Sequence, residues 1–495
     1  MKLSIWSARK CAAILNVSPR CGNRYCFMMN SAPLMLSVSG ARGIVGKTMT
    51  PQVAQAFGLA FGSWLIEHSN KAPHVITGRD GRESGAELLE HAIAGLLRTG
   101  CRVTDLGVAM TPTVGVMVLH THADGALIST ASHNPIEWNG FKCLDASGAA
   151  PPVAQANEII EGFKKRWNPN NVERAPTPMH DMNKVVRQTD ADEIHVRRVL
   201  ELIDRETIRA AKLSVVVDSV NGAGCRAVGL LLEQLGVRLE HLNGVVTGAF
   251  AHTPEPTEAN LHQLADAVAK GSFACGFAQD PDADRLAIVD ENGRYVGEEY
   301  TLALCALRVL ERVGSGAMAT NLSTSRMIDS VAAKFSGSRV YRSAVGEANV
   351  VAAMKNSNSV IGGEGNGGVI WPSVCWIRDS LSGIALTLEL LATRGKKLSV
   401  IAAEIPAVAM IKRKLELSGI GGIAAVQPAL ERVATAFASA KVDTSDGVRI
   451  DLPNGWVHLR ASNTEPIIRL IAEAATASQA NALADEVAGI AGLPA

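Results

Sequence analysis

No acidic side chain precedes Glu67, although residues 1–30 carry Lys2, Arg9, Lys10, Arg20 and Arg24. No apolar run reaches the ~18 residues that a membrane-spanning helix needs, which argues against a membrane protein. There is no net charge either: Lys+Arg and Asp+Glu both number 48. That argues against a nucleic-acid partner, which needs clustered basic charge. The 9 cysteines are scattered and include no Cys-x-x-Cys pair. They read as reduced thiols of a cytoplasmic protein. Cys11, Cys21 and Cys26 near the start lack a fourth ligand for a zinc site. Residues 1–30 are expected to be a disordered extension or a mis-assigned start, with the real one at Met29 or Met35.

What remains is too long for one core, so three or four domains are expected in a chain of 495 residues. From His74 onward, short apolar strands alternate with helical periodicity, each unit ending in a polar loop at a strand exit. The fold class expected is α/β: three similar mixed α/β domains plus a C-terminal α+β domain. Their boundaries are set at 31–185, 186–294, 295–406 and 407–495. Ser39–Thr48 nearly spells a phosphate-binding loop, but Gly40 and Gly46 enclose five residues where that motif has four. It reads instead as a tight glycine turn presenting Arg42 to an anion.

Four polar stretches carry the chemistry. Thr130-Ala-Ser-His-Asn-Pro135 follows the buried strand Gly125–Ile128 and throws Ser132 out at its C-terminal end. Ligands of open parallel sheets bind at that edge. His133 looks like a poor partner for Ser132, since neighbours in an extended turn point oppositely. Asn139–Lys142 returns as a hairpin or edge strand and brings Lys142 near Ser132. Asp280, Asp282 and Asp284 alternate along one loop, so their side chains share a side and repel unless a cation joins them. An all-oxygen set suits Mg2+. A phosphorylated Ser132 would bring further negative charge, which Mg2+, Arg42, Lys142 and Arg285 offset. Glu364 and Asn366 sit between glycines, where backbone can approach a ligand, and together can hold two sugar hydroxyls. Arg460, Ser462, Asn463 and Thr464 supply a guanidinium, hydroxyls, an amide and backbone N–H groups able to wrap a dianionic phosphate.

Together, TASHNP, DPDADR, GGEGNGG and RASNTEP, with SGARGIVG, GRDGRESG and VNGAG, resemble the α-D-phosphohexomutase family over residues 37–490. The resemblance implies four domains around a central cleft. It also implies an enzyme that interconverts hexose 6-phosphate and hexose 1-phosphate through a hexose 1,6-bisphosphate. Carried over, Ser132 is the phosphoserine and a metal ligand beside Asp280, Asp282 and Asp284, which bind Mg2+. Glu364 grips the sugar, Arg460, Ser462, Asn463 and Thr464 hold the non-reacting phosphate, and Lys142 and Arg42 are basic residues of the catalytic site. Two departures stand out. Pro281 replaces a glycine, and Gly368 stands where several bacterial members carry a histidine, which leaves Lys142 or His133 as the general base. The motifs look nearest to phosphoglucosamine-mutase-like members of archaeal type, with mannose or glucose phosphate as the alternative substrates and a metal-dependent sugar phosphatase as the alternative activity. A monomer or homodimer is expected.

Overall fold

The computed structural model describes residues 34–167, 182–416, 422–461 and 467–493. The expectation for residues 1–30 therefore lies outside the described residues.

Three sheets repeat one plan. The first contains β1 (Met35–Ser37), β2 (Gly40–Ile44), β3 (His74–Arg79), β4 (Arg102–Val108), β5 (Gly125–Ser129), β6 (Trp138–Asp145) and β7 (Val186–Arg187), in the order β1-β2-β6-β5-β3-β4-β7. Its inner part runs β4-β3-β5 in parallel and closes with antiparallel β6. The second contains β8 (Ser214–Asp218), β9 (Arg238–Leu242), β10 (Cys275–Gln279) and β11 (Leu286–Asp290). There, β9-β8-β10 are parallel and β11 is antiparallel. The third contains β12 (Ala317–Asn321), β13 (Arg339–Ser343), β14 (Ile361–Glu364) and β15 (Gly368–Ile370). Again β13-β12-β14 are parallel and β15 is antiparallel. In every copy the third strand of the parallel set turns back into the antiparallel one. The Ser132 turn, the aspartate loop and the Glu364 loop are that same connection, three times over.

The remaining sheet differs. It contains β16 (Ala409–Glu416), β17 (Lys441–Asp443), β18 (Val448–Leu452), β19 (Gly455–Ala461) and β20 (Ile467–Ala474), all antiparallel. The four-domain α/β architecture, with a C-terminal α+β part, is as the sequence led one to expect.

Local sequence explains how the loops are held. Helix Pro51–Glu67 starts with Pro51 inside and Thr50 as cap, whose side chain accepts from Val53 N. It lies so close to helix Gly85–Arg98 that a Cβ on Gly58 would strike the Ala92 carbonyl. Phe57 stacks on Phe141 of β6 at 5.7 Å, which seats the strand that carries Lys142. One apolar core runs continuously through the first three domains, taking in Ile76, Val217, Phe277, Leu304 and Ile361. The fourth domain has a core of its own, built on Ile450, Leu470 and Val487.

Two local expectations change. Gly40–Ile44 is a strand, not a tight turn. The glycines there admit close neighbours, and pairing with β6, nearly a hundred residues on, decides the conformation (Arg42↔Gly140). Of the two alternatives for the segment around Lys142, the hairpin holds, since β6 pairs antiparallel with β5, but β2 on its other side makes it an interior strand and not an edge.

Candidate active site

Ser132 is buried and left-handed, with φ 51°. A non-glycine residue in that conformation has to be held by its surroundings. Thr130 Oγ1 accepts from Ser132 N at 2.9 Å and donates to Asp80 Oδ2 at 2.7 Å. Fully buried Arg82 pairs with Asp80 and donates to the carbonyls of Ser132 (2.8 Å) and Asn134 (2.6 Å). Its guanidinium lies 4.8 Å from the Phe250 ring, contributed by the second domain. Asp80 and Arg82, in the GRDGRES stretch, thus clamp the turn from below.

The Ser132 hydroxyl points at the aspartates and donates to Asp280 Oδ2 at 3.1 Å. His133 Nδ1 lies 3.3 Å from the same Oγ. The expectation that His133 points away is therefore corrected: it assumed extended backbone, and the left-handed turn folds the imidazole back. Arg285, then burial, then Arg42 push the His133 pKa well below its ordinary value, so the ring is neutral near pH 7. Arg42 reaches across from β2 and donates to Asn134 Oδ1 at 3.2 Å.

One carboxylate oxygen from each of Asp280, Asp282 and Asp284 can be chosen so that all lie within 4.8 Å of one another. All three residues are fully buried. Lys142 Nζ donates to Asp282 Oδ2 at 2.7 Å and Asp284 Oδ2 at 3.0 Å, Thr111 Oγ1 donates to Asp282 Oδ2 at 2.7 Å, and Arg285 N donates to Asp280 Oδ1 at 3.1 Å. Asp282 Oδ1 and Asp284 Oδ1 are buried without a hydrogen-bond partner. Arg285 Nε is 3.9 Å from Asp284 Oδ1. Burial, then Asp284 and Asp282, push the Asp280 pKa well up. Burial opposes the charge on Lys142, but the two aspartates outweigh it and raise its pKa. Three buried carboxylates this close together, two of them with an oxygen that accepts no hydrogen bond, fit a hard divalent cation.

The Glu364 loop abuts this nest through Leu286 N, which donates to Gly367 O at 3.0 Å. Glu364 Oε1 accepts from Asn321 Nδ2 at 2.8 Å, and Oε2 from Asn366 Nδ2 at 3.4 Å. Asn366 Oδ1 is buried and unpartnered. Beneath Gly365 lies Glu299, whose pKa burial pushes up to about 8. On β19, Arg460 Nε donates to Asp446 Oδ2 at 3.0 Å, and its Nη2 is buried without a partner. Ser462, Asn463 and Thr464 lie outside the described residues.

Residues 35–169, 193–293 and 298–408 match the phosphoglucomutase/phosphomannomutase alpha/beta/alpha domains I, II and III, and residues 412–490 match the C-terminal domain. The chain is 37% identical over 450 residues to a Thermococcus kodakarensis phosphoglucomutase/phosphomannomutase, covering 89% of this chain and 94% of that one. It is 35% identical to a Methanopyrus kandleri protein named "Probable phosphoglucosamine mutase", covering 91% and 96%. The crystal structure of a phosphoglucomutase/phosphomannomutase family protein from Burkholderia thailandensis shares 26% identity at a TM-score of 0.77, covering 93% of this chain and 100% of that one.

The chain belongs to the phosphohexomutase family. It is an enzyme of the isomerase type that moves a phosphoryl group.

The structure of this phosphohexomutase brings Ser132, His133, Arg42, Lys142, Asp280, Asp282, Asp284 and Arg285 into one cluster, with Glu364 and Asn366 beside it. It also shows a residue the sequence reading missed. Arg378 lies between β15 and helix Ser380–Arg394, donates to Asp284 Oδ2 at 2.6 Å and Glu364 Oε2 at 2.7 Å, and is 8% exposed. Arg82 was missed as well, although its stretch was noted. Arg378 stands outside any glycine-rich loop and carries no spacing signal, and the bonds of Arg82 to Ser132 and Asn134, 50 and 52 residues on, appear only in the fold.

Proposed function

We propose that this phosphohexomutase interconverts glucosamine 6-phosphate and glucosamine 1-phosphate through a phosphoserine at Ser132 and a hexose 1,6-bisphosphate. The observation that carries the reading is the Ser132 Oγ–Asp280 Oδ2 contact of 3.1 Å between residues 148 positions apart. Asp280, Asp282, Asp284 and the phosphorylated Ser132 would hold Mg2+. When bound, the ion neutralises charge on the transferring phosphoryl oxygens.

The chain's own residues supply the rest. Phosphoserine 132 gives its phosphoryl to a hydroxyl of the monophosphate, forming the bisphosphate. That bisphosphate turns over in the cleft and returns its other phosphoryl to Ser132. Neutral His133 accepts the proton of the attacking hydroxyl and gives it back in the reverse transfer. Lys142, held protonated by Asp282 and Asp284, serves as a fixed cation, as do Arg42 and Arg285. Glu364 and Asn366 take sugar hydroxyls. Arg460, with its free Nη2, and Ser462, Asn463 and Thr464 take the phosphate that is not reacting. We place the reaction in the cytoplasm; the six described cysteines are all free and buried, which fits a reducing compartment.

A second reading, phosphomannomutase/phosphoglucomutase, is favoured by the name of the Thermococcus relative, which is slightly more similar than the one named for glucosamine. The deciding experiment assays glucosamine, glucose and mannose 1-phosphates for conversion to their 6-phosphates with Mg2+. The expected result is fastest conversion of glucosamine 1-phosphate, stimulated by a hexose 1,6-bisphosphate. Release of inorganic phosphate without isomerisation would establish a phosphatase instead.

A further inference from the structure

Arg378 is anchored from both sides. Asp379, its neighbour, caps helix Ser380–Arg394 by accepting from Leu381 N and Ser382 N, each at 3.0 Å, and lies 3.2 Å from His195 Nε2. Ser380 Oγ donates to the carbonyl of Ala283 at 2.7 Å, inside the aspartate loop itself. The Arg378 side chain then crosses Gly368, where a Cβ would collide with its Cδ. Beyond that point the guanidinium serves three carboxylates. Nη2 donates to Asp284, Nη1 donates to Glu364, and Nε stands 2.7 Å from Glu347 Oε2.

We propose that Arg378 is the positioning residue that couples metal occupancy to sugar binding. The inference rests on the reading above, in which Asp284 holds a metal and Glu364 a sugar. The guanidinium is planar and rigid, with donors in a fixed fork. It occupies Asp284 Oδ2, so Oδ1, which accepts no hydrogen bond, is the one left for a cation. The same plane fixes Glu364 Oε2. A cation drawing in Asp284 therefore moves or steadies Glu364, and a sugar seated on Glu364 steadies Asp284. Such coupling is reciprocal. Gly368 belongs to the device, because any larger residue there displaces Arg378.

The test titrates Mn2+ into the full chain, alone and with saturating glucosamine 6-phosphate. The variants are wild type, Arg378→Gln, Arg378→Lys and Gly368→Ala, with thermal midpoints checking that each folds. In wild type, the sugar phosphate is expected to tighten Mn2+ by about tenfold or more. In Arg378→Gln, Mn2+ alone binds at least as well as in wild type, since a competing cation is gone, but the sugar phosphate no longer tightens it. Gly368→Ala, which keeps the charge and misplaces it, loses the tightening too. Arg378→Lys retains only part, because one ammonium cannot span three carboxylates. Damage to folding would instead weaken Mn2+ binding outright. Wild-type-sized tightening in Arg378→Gln overturns the inference, as does its absence from a wild type that turns over hexose phosphates. Absence of turnover in the wild type, a separate readout, overturns the functional reading and this inference with it.

Discussion

Ser132 is held at φ 51°, a conformation that costs an L-residue roughly 1–2 kcal/mol. The strain has a use: it turns Oγ toward Asp280 and leaves the following imidazole beside it. The buried Asp80–Arg82 pair and Thr130 supply the bonds that hold the turn. Glu299 is another residue whose surroundings have a measurable consequence. Burial raises its pKa from the ordinary 4.5 to about 8, so the folded chain keeps a proton there that the unfolded chain releases. Between those values the unfolded state binds fewer protons, and stability falls as pH rises, by about 1 kcal/mol per pH unit. Glu299→Gln removes the titration and keeps an oxygen able to accept from Ser325 N. The variant is expected to match wild type in thermal midpoint at pH 5 and to exceed it at pH 8.5. An equal gap at both pH values would contradict this.

Among the elements, the repeated turn between a parallel strand and its antiparallel partner explains why three motifs converge. Each domain offers the same loop at the same sheet edge, and the shared core brings those edges together. The loop that runs from β9 toward Pro256 ties the second domain to the Ser132 clamp. Its Gly248 carbonyl accepts from Glu83 N at 3.1 Å, its Phe250 packs on Arg82, and its His252 Nε2 lies 3.0 Å from Asp218 Oδ2. The bond to Asp218 raises the His252 pKa. The anchoring is therefore fully present below the ordinary value near 6.5 and lost as pH climbs through the raised one. Hydrogen exchange of residues 244–256, corrected for intrinsic rates, is expected to show less protection at pH 8.5 than at pH 6. Unchanged protection would contradict it.

Much of this was legible beforehand. Glycines, alternating aspartates and short apolar runs mark loops and strands locally, so Ser132, the aspartates, Glu364 and the four-part layout could be read from the chain. Arg42 on a strand, His133 folded back and Arg378 bonded to Asp284 could not. Each depends on a partner 90 or more residues away or on one φ angle that no spacing reports.

For the whole molecule, the cores divide it unequally. Domains one to three share apolar packing, whereas the fourth is joined to the third through polar contacts. Arg326 pairs with Asp451 at 2.9 Å and donates to the Leu452 carbonyl at 2.8 Å, buried Arg449 stacks on Trp456 at 4.0 Å and reaches the Leu322 carbonyl, and Val345 N donates to Asp446 at 2.9 Å. Such an interface favours motion of the fourth domain as a unit. Calorimetry is expected to show that domain unfolding in its own transition, separate from the other three. A single transition with equal calorimetric and van't Hoff enthalpies would contradict the division.

The most direct test of a phosphoryl group carried on Ser132 beside the aspartates is transfer of label. Wild type and Ser132→Ala are incubated with radiolabelled glucose 1,6-bisphosphate and Mg2+, freed of ligand, and digested. The expected result is label on the peptide containing Ser132 in wild type and none in the variant, with mutase turnover reduced by more than about a thousandfold. Equal labelling or equal turnover in both would contradict the account.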